Sequence, residues 1–390
     1  VVRSSRLPGS LAPNRLTGAV ARARQQGRAL IDLTESNPTR AHLPYPADLL
    51  AALASAEALA YDPAPFGRED ARRAVAADYA RRGVTVAPEA ICLAASTSEA
   101  YAWLFKLLCE PGDRVLVPRP SYPLFEHLTA LECVEASPYE LELHGHWRID
   151  VDALARQVDE RTKAVLVVSP NNPTGSVLHA DELHALAEVC ASRGVVLIGD
   201  EVFADYRLDH GPPAPSVVQQ SAAVAVSLGG LSKSVGLPQV KLAWLAVGGP
   251  PDGARELLSG LEIVADTFLS VSTPAQVALP SLLDRGAVVR DAIQARARRN
   301  LDALGRAVGA APAVTLLPPA GGWCAVLQVP NVESEEALVV DLVEREGVLV
   351  HPGYFFDFPR EAFLVVSLLV EPAVFDAGLA RLLARVTEAA

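Results

Sequence analysis

Among the residues of this chain, Lys233 has the setting best suited to covalent chemistry. It follows an apolar run through Gly229 and Gly230 and stands between Ser232 and Ser234 rather than on a charged helix face. A lysine at the end of a buried strand is poorly hydrated, so its pKa falls and the neutral amine can form a Schiff base with a carbonyl cofactor. An ordinary surface lysine at a helix start has the same local sequence. Asp200 closes the apolar run at 195–199. A carboxylate leaving a sheet core needs a partner: a metal, a protonated ring nitrogen, or the N–H groups of a helix that it caps. The third feature is the string S-P-N-N-P-T-G at 169–175, which contains Asn172 and is also, by composition, a plausible bare turn.

The apolar runs in front of these segments say what must position them. Short β-branched runs at 114–118, 164–168, 195–199 and 223–228 alternate with longer amphipathic stretches such as 180–190. Continuous apolar strands separated by helices predict a doubly wound, mostly parallel α/β sheet covered on both faces, over residues 50–275. In such sheets ligands bind beyond the carboxyl ends of the strands, where all three segments fall. The C-terminal part, 276–390, reads as a smaller α+β domain. It has a charged helix near 284–308, a strand after Gly321-Gly322-Trp323, a strand at 363–369 and a last helix. Residues 1–49 are expected to pack with it.

Composition narrows the partners. The 390 residues are 50% apolar and 21% charged, as in a large globular protein. With 34 Lys+Arg against 46 Asp+Glu, the formal charge is −12, which argues against nucleic acid and anionic membranes as partners. The dense basic cluster of Arg296, Arg298 and Arg299 lies in a helical pattern. Cys92, Cys109, Cys133, Cys190 and Cys324 are odd in number and scattered, with no C-x-x-C and no histidine at metal spacing. They read as buried thiols in a reducing compartment, with no metal site. Pro8, Gly9 and Pro13 interrupt the N-terminus where a signal peptide needs an apolar stretch, and no run approaches a membrane span. A cytoplasmic protein is expected.

Order and spacing join the three features. S-P-N-N-P-T-G, then D-E-V-F at 200–203, then G-L-S-K at 230–233 with a further block to Trp244, resemble the class I/II aminotransferase family of fold-type-I pyridoxal phosphate enzymes. Upstream, the stretch from Tyr61 to Gly67 with Arg72, the S-T-S-E turn at 96–99 and P-R-P-S-Y-P at 118–123 resemble further blocks of that family, so the resemblance covers nearly the whole chain. It implies an enzyme that moves an amino group between an amino acid, or a related amine, and a 2-oxo acid, with pyridoxal 5'-phosphate held by Lys233 as an aldimine. Asp200 would face the pyridine nitrogen, Asn172 the phenolic oxygen, and Tyr122 the ring face. Thr97 and Ser98 would bind the phosphate at a helix start, with Ser232 and Lys241 nearby. Tyr61 would reach the neighbouring subunit's cofactor, which implies a homodimer with shared sites.

Three positions depart from the family pattern. Phe203 stands where a Tyr usually gives the phenolic oxygen a second donor, so a higher pKa is expected for the Schiff base. Gly230 replaces a phosphate-binding Ser, and Lys241 replaces an Arg, giving a point charge instead of a bidentate fork. No Arg or Lys occurs from Ala362 to Ala380, where most members carry the strand arginine for the substrate carboxylate. The substrate is therefore assigned to Asn37 with Arg40 or Arg360, or else is an amine without an α-carboxylate. A lyase or decarboxylase on the same fold is the alternative chemistry. A ligand-sensing half of a transcription regulator would need a helix-turn-helix domain, and the residues before 33 contain no such pattern.

Overall fold

The computed structural model describes residues 4–9 and 12–388; positions 1–3 and 10–11 of the N-terminal segment and 389–390 lie outside the described residues. Its centre is an eight-stranded sheet in the order Ile91–Ala94, Ala243–Gly248, Ala225–Gly230, Val196–Asp200, Thr162–Val168, Arg114–Arg119, Glu135–Leu143, Trp147–Ile149. The five strands from Ala225–Gly230 to Glu135–Leu143 run parallel. Ala243–Gly248 is antiparallel to both its neighbours, and Trp147–Ile149 is antiparallel to Glu135–Leu143.

The apolar runs are continuous because successive side chains enter opposite cores. Val165 and Val167 pack with Leu183, Leu186 and Cys190 of the helix Ala180–Arg193. Ala164 and Leu166 pack on the other face with Trp103 and Leu104 of the helix Thr97–Leu108 and Leu257 and Leu261 of the helix Pro251–Phe268. The strand expected at 223–228 lies instead at Ala225–Gly230, because Gly229 and Gly230 keep pairing with Trp244 and Ala243. A Cβ on Gly229 would sit 2.4 Å from Trp244 Nε1, so the missing side chain permits that approach.

The smaller part is a four-stranded antiparallel sheet ordered Thr315–Leu317, Cys324–Gln328, Phe363–Ser367, His351–Pro352. Leu364 and Val366 face a core built with the helices Ala287–Gly309 and Pro372–Glu388, whereas Phe363, Val365 and Val326 face the large sheet's side, beside Leu116, Tyr139 and Val167. The helix expected near 284–308 is Ala287–Gly309, and a further helix, Thr273–Arg285, precedes it and meets it at Gly286. A Cβ there would lie 2.7 Å from Val235 Cβ, so only glycine lets this junction rest on the large domain. From the chain start, Leu16, Ala19 and Ala23 join the small core, and Ile31–Asp32 pairs in parallel with Val348–Leu349.

Asn300 is a polar side chain set into this small core; it is 0% exposed and donates through Nδ2 to Leu368 O at 2.9 Å and Val370 O at 2.7 Å. It satisfies the carbonyls of the segment that leaves the last strand. Asn300→Ala leaves both without a donor and is expected to cost about 2 kcal/mol, measured as a lower urea midpoint at unchanged slope.

Candidate active site

Three adjacent parallel strands end at one place. Val168 and Asp200 are register partners, as are Asp200 and Leu228, and the ladder continues past the strand ends through Ser169 N donating to Asp200 O at 2.9 Å and Glu201 N to Leu228 O at 3.0 Å. The loops that follow carry Asn172, Phe203 and Lys233 into a cavity of about 190 Å³, whose walls also include Thr97, Tyr101, Tyr122, Trp323 and Cys324.

Asp200 is buried. Tyr101 OH donates to its Oδ2 at 2.8 Å and Val202 N to its Oδ1 at 3.2 Å. Burial nevertheless raises its pKa above the usual carboxylate range, because these two donors and the Lys233 charge only partly offset the lost hydration. Lys233 is shifted the other way. Desolvation lowers its pKa, opposed by the nearby Cys324 and Asp200. Its Nζ lies 4.8 Å from the centre of the Trp323 ring and 5.4 Å from that of Phe203, contacts that favour the ammonium. The backbone at this point is fixed by Tyr206 OH, which donates to Lys233 O at 2.5 Å.

The two asparagines of the N-N-P-T-G turn separate by role. Asn171 is consumed by the turn, its Nδ2 donating to Pro120 O and Thr174 Oγ1 and its Oδ1 accepting from Ser121 Oγ. Asn172 lines the cavity, and its buried Oδ1 has no hydrogen-bond partner among the described residues. Gly175, at φ +67°, closes the turn under Pro319 and Gly321, where a Cβ would come within 2.3 Å of Pro319 Cβ. A poorly hydrated amine, a buried carboxylate and an amide whose Nδ2 can donate, in one cavity, fit a cofactor with an electrophilic carbonyl, a protonated ring nitrogen and a phenolic oxygen. Among the described residues, no group of three His, Cys, Asp or Glu side chains could hold a metal ion.

The other positions singled out from the sequence are dispersed. Thr97 lines the cavity at the start of the helix Thr97–Leu108, which Ser96 caps by accepting from Glu99 N at 3.1 Å; Ser98 is on the same first turn but outside the lining. Ser232 is half-buried, and Lys241 is exposed on left-handed backbone at φ +58°. Tyr122 lines the cavity while 48% exposed, whereas Tyr61 is 70% exposed and borders a different cleft. Asn37 spends its Oδ1 on Thr39 N, capping the turn Pro38–Arg40. Arg40 and Arg360 are exposed and neither lines the cavity; the guanidinium of Arg360 lies over the Phe363 ring.

Tyr101 escaped the sequence reading. It sits one turn after Thr97, on the same helix face, so the i, i+4 spacing was the available signal. Its hydroxyl holds the ionised form of Asp200. Because burial puts the folded-state pKa of Asp200 above its unfolded value of about 3.9, ionisation opposes folding as pH rises through the folded-state value. Losing the Tyr101 donor enlarges that opposition. Tyr101→Phe is expected to destabilise the protein by about 1–3 kcal/mol at about pH 8 and by less at about pH 5. A difference from wild type that does not vary with pH would show that Tyr101 does not serve the carboxylate.

The sequence model of the family described as aminotransferase class I and II matches residues 28–382. The glutamate-pyruvate aminotransferase AlaA of Haemophilus influenzae is 26% identical over 360 residues, spanning 89% of this chain and 88% of the relative. Alanine aminotransferase of Mycobacterium tuberculosis is 28% identical over 275 residues, 69% of this chain and 64% of its own. In fold, the chain is similar to alanine aminotransferase from Pyrococcus furiosus, with a TM-score of 0.89 over 99% of this chain and 100% of that one at 21% identity. The cavity at the strand ends, the large sheet with its smaller antiparallel companion and the full-length match converge: this chain belongs to the class I and II aminotransferases.

Proposed function

We propose that this aminotransferase uses pyridoxal 5'-phosphate, bound in the cavity at the carboxyl ends of the three strands, to move an amino group between an amino donor and a 2-oxo acid. The observation that carries the reading is the meeting of Lys233, Asp200 and Asn172 in that one cavity. The chemistry that this cofactor supplies when bound is an electrophilic carbon and a ring able to take up electrons. Lys233 Nζ, biased by desolvation toward the neutral amine, serves as the group that takes and returns a proton. Asp200, anchored by Tyr101, would keep a proton on the ring nitrogen. Asn172 would hold the phenolic oxygen, Tyr122 would cover the ring face, and the N-terminus of the helix Thr97–Leu108 would take the phosphate with Thr97, Ser98, Ser232 and Lys241. A domain division at about 49 and 275 accompanies this reading, supported by the pairing of Ile31–Asp32 with Val348–Leu349. A cytoplasmic site is proposed from the five cysteines, all free thiols.

A homodimer is part of the same proposal. Leu59 (90% exposed), Tyr61, Ile263 (72%) and Phe268 are large apolar side chains left open to water. Tyr61 and Leu269 border one cleft, and Phe268 stacks on Trp103 beneath it, with ring centres 6.1 Å apart. Such a patch fits a second copy of the chain, whose Tyr61 would then complete the site.

Two measurements check this reading. The near-ultraviolet and visible spectrum of the holoenzyme is expected to change on adding a pool of L-amino acids without any 2-oxo acid, and to revert on adding a 2-oxo acid; Lys233→Ala should show neither change. A spectrum that changes without reverting, with release of ammonia or carbon dioxide, would favour the lyase or decarboxylase. Light scattering should give twice the chain mass, and Ile263→Asp should shift the population toward monomer; a wild-type monomer would refute the shared site.

A further inference from the structure

We infer that the amino donor of this enzyme carries an uncharged, apolar side chain, and that Trp323 sets the preference together with Cys324; the inference rests on the aminotransferase reading above. Among the described residues lining the cavity, the charged side chains are Asp200 and Lys233 alone, and the chemistry uses both. Beside the lysine amine the wall is formed by Trp323, Phe203 and Cys324. Trp323 is 2% exposed and held edge-on against Phe203 (ring centres 5.2 Å apart) and Tyr206 (5.1 Å). Its backbone is pinned by Leu368 N donating to Trp323 O at 2.7 Å. Cys324 follows, its thiol kept neutral by burial, which pushes its pKa up to about 12.

The sheet behind this wall offers no counter-ion. Ser367 is paired opposite Cys324 and Val365 opposite Val326, on the same face, and no Arg or Lys occurs from Ala362 to Ala380. A side-chain carboxylate pressed against Trp323 and Cys324 would lose hydration with no cation there except Lys233, which the chemistry uses, and no donor except Trp323 Nε1, and it would share the cavity with Asp200. An apolar side chain gains about 25 cal/mol for each Å² it removes from water there, and aromatic or thioether groups gain ring contacts in addition. The α-carboxylate is common to every amino acid being compared and drops out of the difference.

The experiment uses the holoenzyme. The rate of the spectral change is measured against concentration for L-phenylalanine, L-leucine and L-methionine, and for L-glutamate and L-aspartate. In parallel, the non-reacting 3-phenylpropionate and glutarate are titrated and read by tryptophan fluorescence, with Trp323→Phe as the control that removes the reporter. The expected result is a preference of at least about 10-fold for the apolar member in both assays, the size that differences in apolar contact support. Trp323→Ala should cut that preference for phenylalanine by about 10-fold, and the milder Trp323→Phe by less. Glutamate or aspartate reacting as well as the apolar donors would overturn the inference and leave the aminotransferase reading standing. No spectral change with any donor, together with equal binding of the two carboxylates, would overturn both.

Discussion

Asp200 and Lys233 are opposite charges withdrawn from water by the same walls, and the structure around them is arranged to hold that pair in place. Burial pushes each toward its neutral form, the carboxylate up and the amine down. A carboxylate so placed keeps its charge only with donors aimed at it, which is the task of Tyr101 and the Val202 amide. Neither group could be held by a flexible loop. Each is carried at or just beyond the end of a strand whose two neighbours fix its height, and the backbone ladder continues past the last residues through Ser169, Asp200, Glu201 and Leu228.

A second set of contacts ties the small domain's wall to this frame. Beyond Asp200 the chain turns so that Tyr206 reaches two ways: its hydroxyl donates to the carbonyl of Lys233, and its own carbonyl accepts from Gly322 N at 2.8 Å. The carbonyl of Gly175 in turn accepts from Ala320 and Gly321, each at 3.0 Å. Gly321 is pressed so closely that a Cβ would lie 2.6 Å from Pro170 Cγ and 2.8 Å from Tyr206 O. Trp323 and Cys324 come directly after these contacts, so their position over the lysine is set by hydrogen bonds to both loops that present the catalytic groups, not by the small domain's core alone.

What the sequence made legible, and what it did not, follows from how local each determinant is. Lys233, Asp200 and Asn172 stand immediately after apolar runs, and the parallel sheet alone brings such positions together. The apolar pattern alone does not choose between Asn171 and Asn172 as the free amide, because that depends on Pro120 and Ser121 arriving from another strand; the family resemblance does choose. Tyr101 reads as one more apolar-face residue of its helix until Asp200 is placed across from it. The ends of elements shift where glycine acts without a side chain: Gly229 and Gly230 extend a strand because Trp244 fills the space, and Gly286, crowded by Val235, sets the start of the helix Ala287–Gly309. Arg40 and Arg360 were candidates by charge, and only the folded chain shows both at the surface, with Arg360 lying over Phe363.

The aromatic wall has two opposed effects on the lysine, and their balance matters for the chemistry. Trp323 and Phe203 exclude water, which favours the neutral amine, yet their faces are partly negative and favour the ammonium at the distances seen here. Desolvation lowers the pKa of the amine, and the ring contacts act against it. The rings thus make the protonated form less costly than an aliphatic wall of equal size would. In the proposed chemistry the amine accepts a proton and then gives it back, which works best when neither form is strongly disfavoured. The rings would therefore act on the amine as well as on the shape of the cavity, so replacing them with aliphatic side chains would alter the proposed proton transfer as well as fit.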